Sequence, residues 1–334
     1  GVVLTSFRAK TFSSQLEKSY LNTLNREALV RPNRISDAVI TLLKQHNILK
    51  EAIRDARKGN TKNSVTQLCI HLSRIPLFVK IIELCPIADL EIEDLLKSLR
   101  KILLLERRIL ANNHDLLSFQ SSLALQCFTN EFIYEETEEE TLAVERLEAT
   151  LCQPYARGKH TSPYEMACLS SYRPLHFYPW ATDVNPPSAL EQLFKRQVKE
   201  VNREFSLRGK IPRLKPLEND ISLAVKKQYE ENPYPRWIKT NLPPKPLTIP
   251  QLLSTLGFQL NSDLEQFSET PEVLVAGCGT GQHSTTTATY YRNCDVTAID
   301  LSASSLAFAK RKANELAIRN IEYLQADILD LDCL

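Results

Sequence analysis

Val273-Leu-Val-Ala-Gly-Cys-Gly-Thr-Gly281 is an apolar run that ends in three glycines, Gly277, Gly279 and Gly281. Small and β-branched apolar residues suit a parallel strand covered on both faces. Glycines directly after such a strand let the backbone turn tightly and come close to a ligand. The chain has only eight glycines, so three within five residues reflect a local requirement rather than composition. Gln282 to Arg292 read as a helix, and its first amide N–H groups and positive dipole end would face whatever the turn holds.

Spacing narrows the ligand. A dinucleotide fingerprint requires Gly-x-Gly-x-x-Gly, but the sixth position here is Gln282 and the third glycine comes one place early. A second apolar run, Val296-Thr-Ala-Ile299, ends in Asp300, where a carboxylate can accept hydrogen bonds from ribose hydroxyls. A third, Ile321-Glu-Tyr-Leu-Gln-Ala326, ends in Asp327-Ile328, a second acid able to accept from an adenine amino group. Asp300-Leu-Ser302 reads as the cap of the following helix, which carries Lys310-Arg-Lys. These strand ends resemble the motifs of class I S-adenosylmethionine-dependent methyltransferases. The resemblance implies that Gly277, Cys278, Gly279 and Gly281 hold the methionine portion of the cofactor, Asp300 and Leu301 the ribose side, and Asp327 and Ile328 the adenine. A turn built by glycines in a nucleotide-free α/β domain is the alternative.

A second segment adds to this. Gln228-Tyr-Glu-Glu-Asn-Pro-Tyr-Pro-Arg-Trp237 follows a helical Ile221–Tyr229 stretch and precedes four prolines between 243 and 250. Its two prolines favour an extended backbone that projects Tyr234, Arg236 and Trp237 in a stiff array. With Tyr229, this array is a candidate lid over a bound cofactor; interdomain packing is the plainer reading of Tyr234 and Trp237. Together with Ala276–His283 and Ala326–Leu329, the segment resembles bacterial methyltransferases that often carry N-terminal tetratricopeptide repeats. The likeness covers roughly residues 165–334, and no 34-residue self-similarity accompanies it. Catalytic residues of such enzymes usually lie in the second half of the fold, so none is assigned.

Length and composition bound the rest. The 334 residues suffice for more than one domain, and 43% apolar with 24% charged content is that of a globular protein. Forty-one basic against forty acidic residues give no global field to recruit nucleic acid or an anionic membrane. No apolar run approaches the ~20 residues of a membrane span, and the first residues lack the charged-then-apolar order of a signal peptide. A soluble cytoplasmic protein is expected. Eight cysteines sit singly, with no Cys-x-x-Cys pair, which argues against zinc and for reduced thiols used as small apolar residues. Cys278, at a helix N-terminus, is the one candidate for a lowered thiol pKa.

Three regions are expected: a helical bundle or short solenoid over 1–160, a mixed helical and proline-rich connector over 161–270, and an α/β Rossmann-like domain over 271–334. Ile35–Leu43, Val65–Leu72 and Leu90–Leu105 place apolar residues three and four apart. Gly59-Asn60, Pro76, Pro86–Asp89 and Asn112-Asn113 punctuate them. Glu135–Glu140 reads as a capping box, with Thr137 and Glu140 reciprocal, rather than a metal site. Lys195–Lys215 reads as a solvated helix face that buries Leu193, Phe194, Val198, Val201 and Phe205, and it lacks the aromatic array of a nucleic-acid site. The aromatic, proline-rich stretch 171–187 is expected as a surface connection, with His176 a loop histidine.

Residues 271–334 hold strand, helix, strand, helix and strand, the first half of a doubly wound fold, so the natural domain is expected to continue past Leu334. Gly1 at the start and Met166 as the single methionine point to processing or excision from a longer chain. The partner class is a methyl acceptor, protein or small molecule, with a protein partner on the helices. A non-catalytic interaction module with a vestigial cofactor remnant is the competing reading.

Overall fold

The computed structural model describes residues 8–57, 65–107, 114–156, 162–216, 219–231, 233–258 and 270–331. The turns expected at Gly59-Asn60 and Asn112-Asn113 lie outside these residues. Contacts divide the chain into two units, Gly1–Val201 and Asn202–Leu334.

The first unit is built of helices and their connections, with no strand among its described residues. In chain order it holds α1 (Ser14–Asn25), α2 (Pro32–Leu43), α3 (Asn47–Arg57), α4 (Val65–Ser73), α5 (Pro76–Leu84), α6 (Leu90–Leu105), α7 (His114–Thr129), α8 (Glu138–Ala156) and α9 (Pro163–Leu169). The periodic apolar segments form α2, α4 and α6 as expected. Pro32 and Pro76 stand in the first turns of α2 and α5, where a missing N–H costs nothing. Asp89 caps α6 by accepting from the Ile92 amide at 3.2 Å.

The stretch 171–187 departs from the surface connection expected of it. It winds into 3-10 turns at Leu175–Phe177 and Pro179–Thr182. Tyr172, Leu175, Trp180 and Ala181 join a core with Leu125, Val144 and Leu147. Burial of irregular backbone requires hydrogen-bond partners, which the turns supply in part, as in Tyr178 amide to Leu175 carbonyl and Ala181 amide to Tyr178 carbonyl, and the buried Gln197 adds to them. Its Oε1 accepts from the Leu175 amide at 3.1 Å, and its Nε2 donates to the Ser170 carbonyl at 3.0 Å. Phe177 stays exposed, edge-on to the His176 ring.

Beyond α10 (Glu191–Phe194), the backbone makes a π-helical turn, Lys195–Lys199, before α11 (Glu200–Arg208). The wider turn shifts the helical phase. Leu193, Phe194, Val198 and Val201 are buried as their spacing predicts, but Phe205 is exposed and Glu204 is buried in its place.

The second unit contains α12 (Asp220–Glu231), α13 (Ile249–Thr255), β1 (Glu272–Ala276), α14 (Gln282–Tyr290), β2 (Asp295–Asp300), α15 (Ala303–Glu315) and β3 (Ile321–Gln325). The strands form one parallel sheet in the order β1-β2-β3. Val275 pairs with Ala298, and Asp300 with Gln325, so all three strands end at the same edge. The sheet is not covered as evenly as the apolar run suggests: Val275 is buried, whereas Leu274 is about half exposed. Nor are both sheet edges bare. Residues 212–214 run parallel to the outer edge of β3, with the Gln325 amide donating to the Pro212 carbonyl and the Leu214 amide to the Gln325 carbonyl. Among the described residues no strand pairs with the outer edge of β1. No described helix is long and apolar enough to cross a membrane.

Candidate cofactor site

The register brings three chain turns together beyond the ends of the strands. The Cys278 amide donates to the Ile299 carbonyl at 2.9 Å, and the Ala326 amide to the Asp300 carbonyl at 3.1 Å. The glycine turn, Asp300-Leu301 and Asp327-Ile328 therefore stand side by side. In an open parallel sheet this edge is where ligands bind.

The three glycines have different reasons to be glycine. All adopt positive φ, +64° at Gly277, +53° at Gly279 and +79° at Gly281, a region that other residues enter with strain. A Cβ on Gly277 or Gly279 would meet nothing within 4 Å, so open space lies over both positions. A Cβ on Gly281 would stand 2.4 Å from the Ala309 Cβ on α15. Gly281 serves helix packing, and Gly277 and Gly279 leave room for a ligand. The structure thus separates roles that the sequence pattern treats alike.

Asp300 organises the turn. One carboxylate oxygen accepts from the Gly279 amide at 2.8 Å and the other from the Ser302 amide at 2.9 Å. The Leu301 amide also acts on the carboxylate, whose remaining lone-pair capacity is open to a further donor. Burial pushes the Asp300 carboxyl above the usual aspartate value; the Ser302, Gly279 and Leu301 amides partly offset the rise, and neighbouring Glu230 adds to it. Ser302 caps α15 as its position predicts, with its hydroxyl accepting from the Ser305 amide at 3.0 Å. Asp327 is buried and accepts from the Leu329 amide at 3.0 Å, while Ile328 is exposed beside it. Leu301 is partly buried, and its carbonyl accepts from Gln325 Nε2 at 2.7 Å.

Cys278 is buried, and burial first, then the adjacent Asp300 charge, push its thiol above its ordinary value, the reverse of the lowering expected at a helix N-terminus.

The candidate lid residues fall into two groups. Tyr229 and Tyr234 are exposed, whereas Trp237 is buried and its indole Nε1 donates to the Thr280 carbonyl at 2.9 Å. Arg236 pairs with Glu204 at 3.4 Å, and Glu204 in turn accepts from Arg311 Nε at 2.8 Å. Asn232 lies outside the described residues.

Sequence reasoning passed over four residues that fix this region: Glu204, Thr280, Glu230 and Arg311. Glu230 accepts from the Ala303 amide at 2.9 Å and from the Ser304 amide at 3.0 Å, so α12 supplies a second cap to α15. The only local signal for it was an acid beside the aromatic segment.

A family model described as a methyltransferase domain matches residues 273–334. That match coincides with the glycine turn, the two strand-end acids and the parallel sheet, and it supports a methyltransferase. The uncharacterized protein RP028 of Rickettsia prowazekii (strain Madrid E) is 31% identical over 114 residues, covering 34% of this chain and 42% of that protein. The chain therefore spans less than half the length of this curated relative. No solved structure matches the chain significantly.

Proposed function

We propose that the second unit binds S-adenosylmethionine and that the protein transfers its methyl group to an acceptor, in the cytoplasm. The observation that carries the reading is the open space over Gly277 and Gly279 next to a carboxylate with free lone pairs. The open face of the turn at Gly277 and Gly279 and the N-terminus of α14 would hold the methionine portion, Asp300 the ribose hydroxyls, and Asp327 with Ile328 the adenine. The cofactor supplies an activated methyl group, and transfer to a nucleophile is an in-line displacement that depends mainly on positioning. Apart from holding the cofactor, this chain's residues contribute exclusion of water: the buried Cys278 and Trp237 flank the turn. The acceptor is a protein or a small molecule, and the helices of the first unit offer a surface for a protein partner.

Titration calorimetry with S-adenosylmethionine, S-adenosylhomocysteine and NAD tests the cofactor, and methyl transfer from labelled cofactor to a cell extract tests the activity. Preference for NAD overturns the proposal. Asp300→Ala is expected to weaken S-adenosylmethionine binding by about 1.5–3 kcal/mol for each charge-assisted hydrogen bond lost to ribose. Affinity should also depend on pH. Because the Asp300 carboxyl is raised, it becomes protonated on acidification before an ordinary aspartate does and then no longer accepts from both hydroxyls. Binding should therefore fall as pH drops through that raised value. The Asp300→Ala variant should lack this dependence, and a pH profile identical in both proteins would rule Asp300 out.

A further inference from the structure

We infer that the segment Tyr234–Trp237 holds the glycine turn in its binding conformation rather than closing over a ligand, with Thr280 and Trp237 as positioning residues. The inference rests on the proposed reading of the turn as the S-adenosylmethionine site. Thr280 sits between Gly279 and Gly281 and is buried. Its hydroxyl donates to the Pro235 carbonyl at 2.9 Å, and its own carbonyl accepts from the Trp237 indole at 2.9 Å. The turn is therefore bonded to the segment through both the side chain and the backbone of one residue. A mobile lid would not be tied to its floor in this way.

The segment is itself anchored on α15. The Lys312 ammonium lies 4.8 Å above the Trp237 ring and donates to the Ile238 carbonyl at 2.9 Å. The Trp237 ring meets Phe308 edge-on, with centroids 6.0 Å apart. Glu204 joins Arg236 to the buried Arg311, and Arg311 also donates to Glu315 at 2.7 Å. Salt bridges among buried groups with several partners fix geometry more than they add stability.

This arrangement addresses a cost inherent to the turn. Glycines at 277, 279 and 281 give the backbone more freedom to lose than other residues would, and the binding conformation needs positive φ at all three. The bond to the Thr280 carbonyl restrains the peptide plane that follows it, and the bond from the hydroxyl fixes the Thr280 side chain. The turn then holds its shape before the cofactor arrives, with the Gly281 amide already bonded to the Cys278 carbonyl and the Gly279 amide to Asp300, and affinity gains because less ordering remains to be done on binding.

The test compares Thr280→Ser, Thr280→Val and Trp237→Phe with the unaltered protein, in calorimetric titration with S-adenosylmethionine and in amide hydrogen exchange at 277–281 without cofactor. Thr280→Ser keeps the hydroxyl and should match the unaltered protein. Thr280→Val and Trp237→Phe each lose one hydrogen bond and should bind about three- to ten-fold more weakly, with faster exchange in the turn. Trp237→Phe preserves ring packing on Phe308, so it remains informative if Thr280→Val fails to fold. The inference is overturned if Thr280→Val and Trp237→Phe bind and exchange like the unaltered protein, or if Thr280→Ser loses as much as Thr280→Val. Absence of binding by the unaltered protein would instead overturn the cofactor reading, and faster exchange in Thr280→Val but not Thr280→Ser would still support the restraint.

Discussion

Gly281→Ala is expected to destabilise the second unit by about 2–5 kcal/mol, whereas Gly279→Ala costs only about 1–2 kcal/mol and abolishes S-adenosylmethionine binding instead. Both substitutions place a side chain at positive φ, so both carry the strain of a left-handed conformation. Only the first adds a collision: the new Cβ would lie 2.4 Å from the Ala309 Cβ and 3.1 Å from its Cα. Backbone cannot yield there without moving α15 away from the sheet. At Gly279 the methyl group enters open space, which in the proposed reading is space the cofactor needs. Chemical denaturation followed by hydrogen exchange in β2 and α15 measures the first effect, and calorimetric titration the second.

A double-mutant cycle makes the packing claim sharper. Ala309→Gly removes the closest contact, although glycine in a helix interior itself costs about 1 kcal/mol. The pair Gly281→Ala and Ala309→Gly should then be less destabilised than the sum of the single changes. Strict additivity would show that the loss at Gly281 comes from φ alone. Normal cofactor binding by Gly279→Ala would reduce the turn to a structural element.

Local pattern was enough for what is local. The strand, the glycine turn, the Ser302 cap and the Thr137 capping box each depend on residues within a few positions of one another, and the sequence displays them. The restraints on the turn were hidden because their partners are distant in sequence: Thr280 and Trp237 are 43 residues apart, and Arg311 and Glu204 are 107. Phe205 illustrates a second limit. Its helical spacing points inward, but Glu204 beside it takes the buried place because Arg311 and Arg236, distant in sequence, pair with its carboxylate there. Partners so far along the chain leave no signature in apolar periodicity. The stretch 171–187 shows a third limit: proline and aromatic content signals irregular backbone, not exposure, and here the 3-10 turns satisfy much of their own backbone while the buried Gln197 accepts from the Leu175 amide.

The first unit supplies the other large effect. Glu140→Ala should destabilise it by about 3–5 kcal/mol, because removal of one member of a buried ion pair leaves the other charge without compensation. Glu140 closes the capping box of α8, accepting from the Thr137 amide at 2.9 Å, but it also accepts from the Tyr172 hydroxyl at 2.7 Å and pairs with Arg100 at 3.4 Å. The Arg100 guanidinium lies 4.2 Å over the Tyr172 ring and donates to the Glu135 carbonyl at 2.8 Å, with its side chain almost wholly buried. Burial alone would raise the Glu140 carboxyl, but the hydrogen bonds from Thr137 and Tyr172 and the Arg100 charge outweigh it and hold it below its ordinary value of 4.5. A depressed carboxyl contributes stability that is complete above the unfolded value and is lost as pH falls through the folded one. The gap in urea stability between the unaltered protein and Glu140→Gln should therefore be widest near neutral pH and shrink on acidification below the ordinary glutamate range. Glu139, which is exposed and reaches Lys101 at 3.1 Å, is the control: Glu139→Ala should change stability by no more than about 0.5 kcal/mol. Equal losses at the two positions would mean that α8 needs these acids only for its helix dipole, and that the buried pair with Arg100 contributes nothing to the unit's stability.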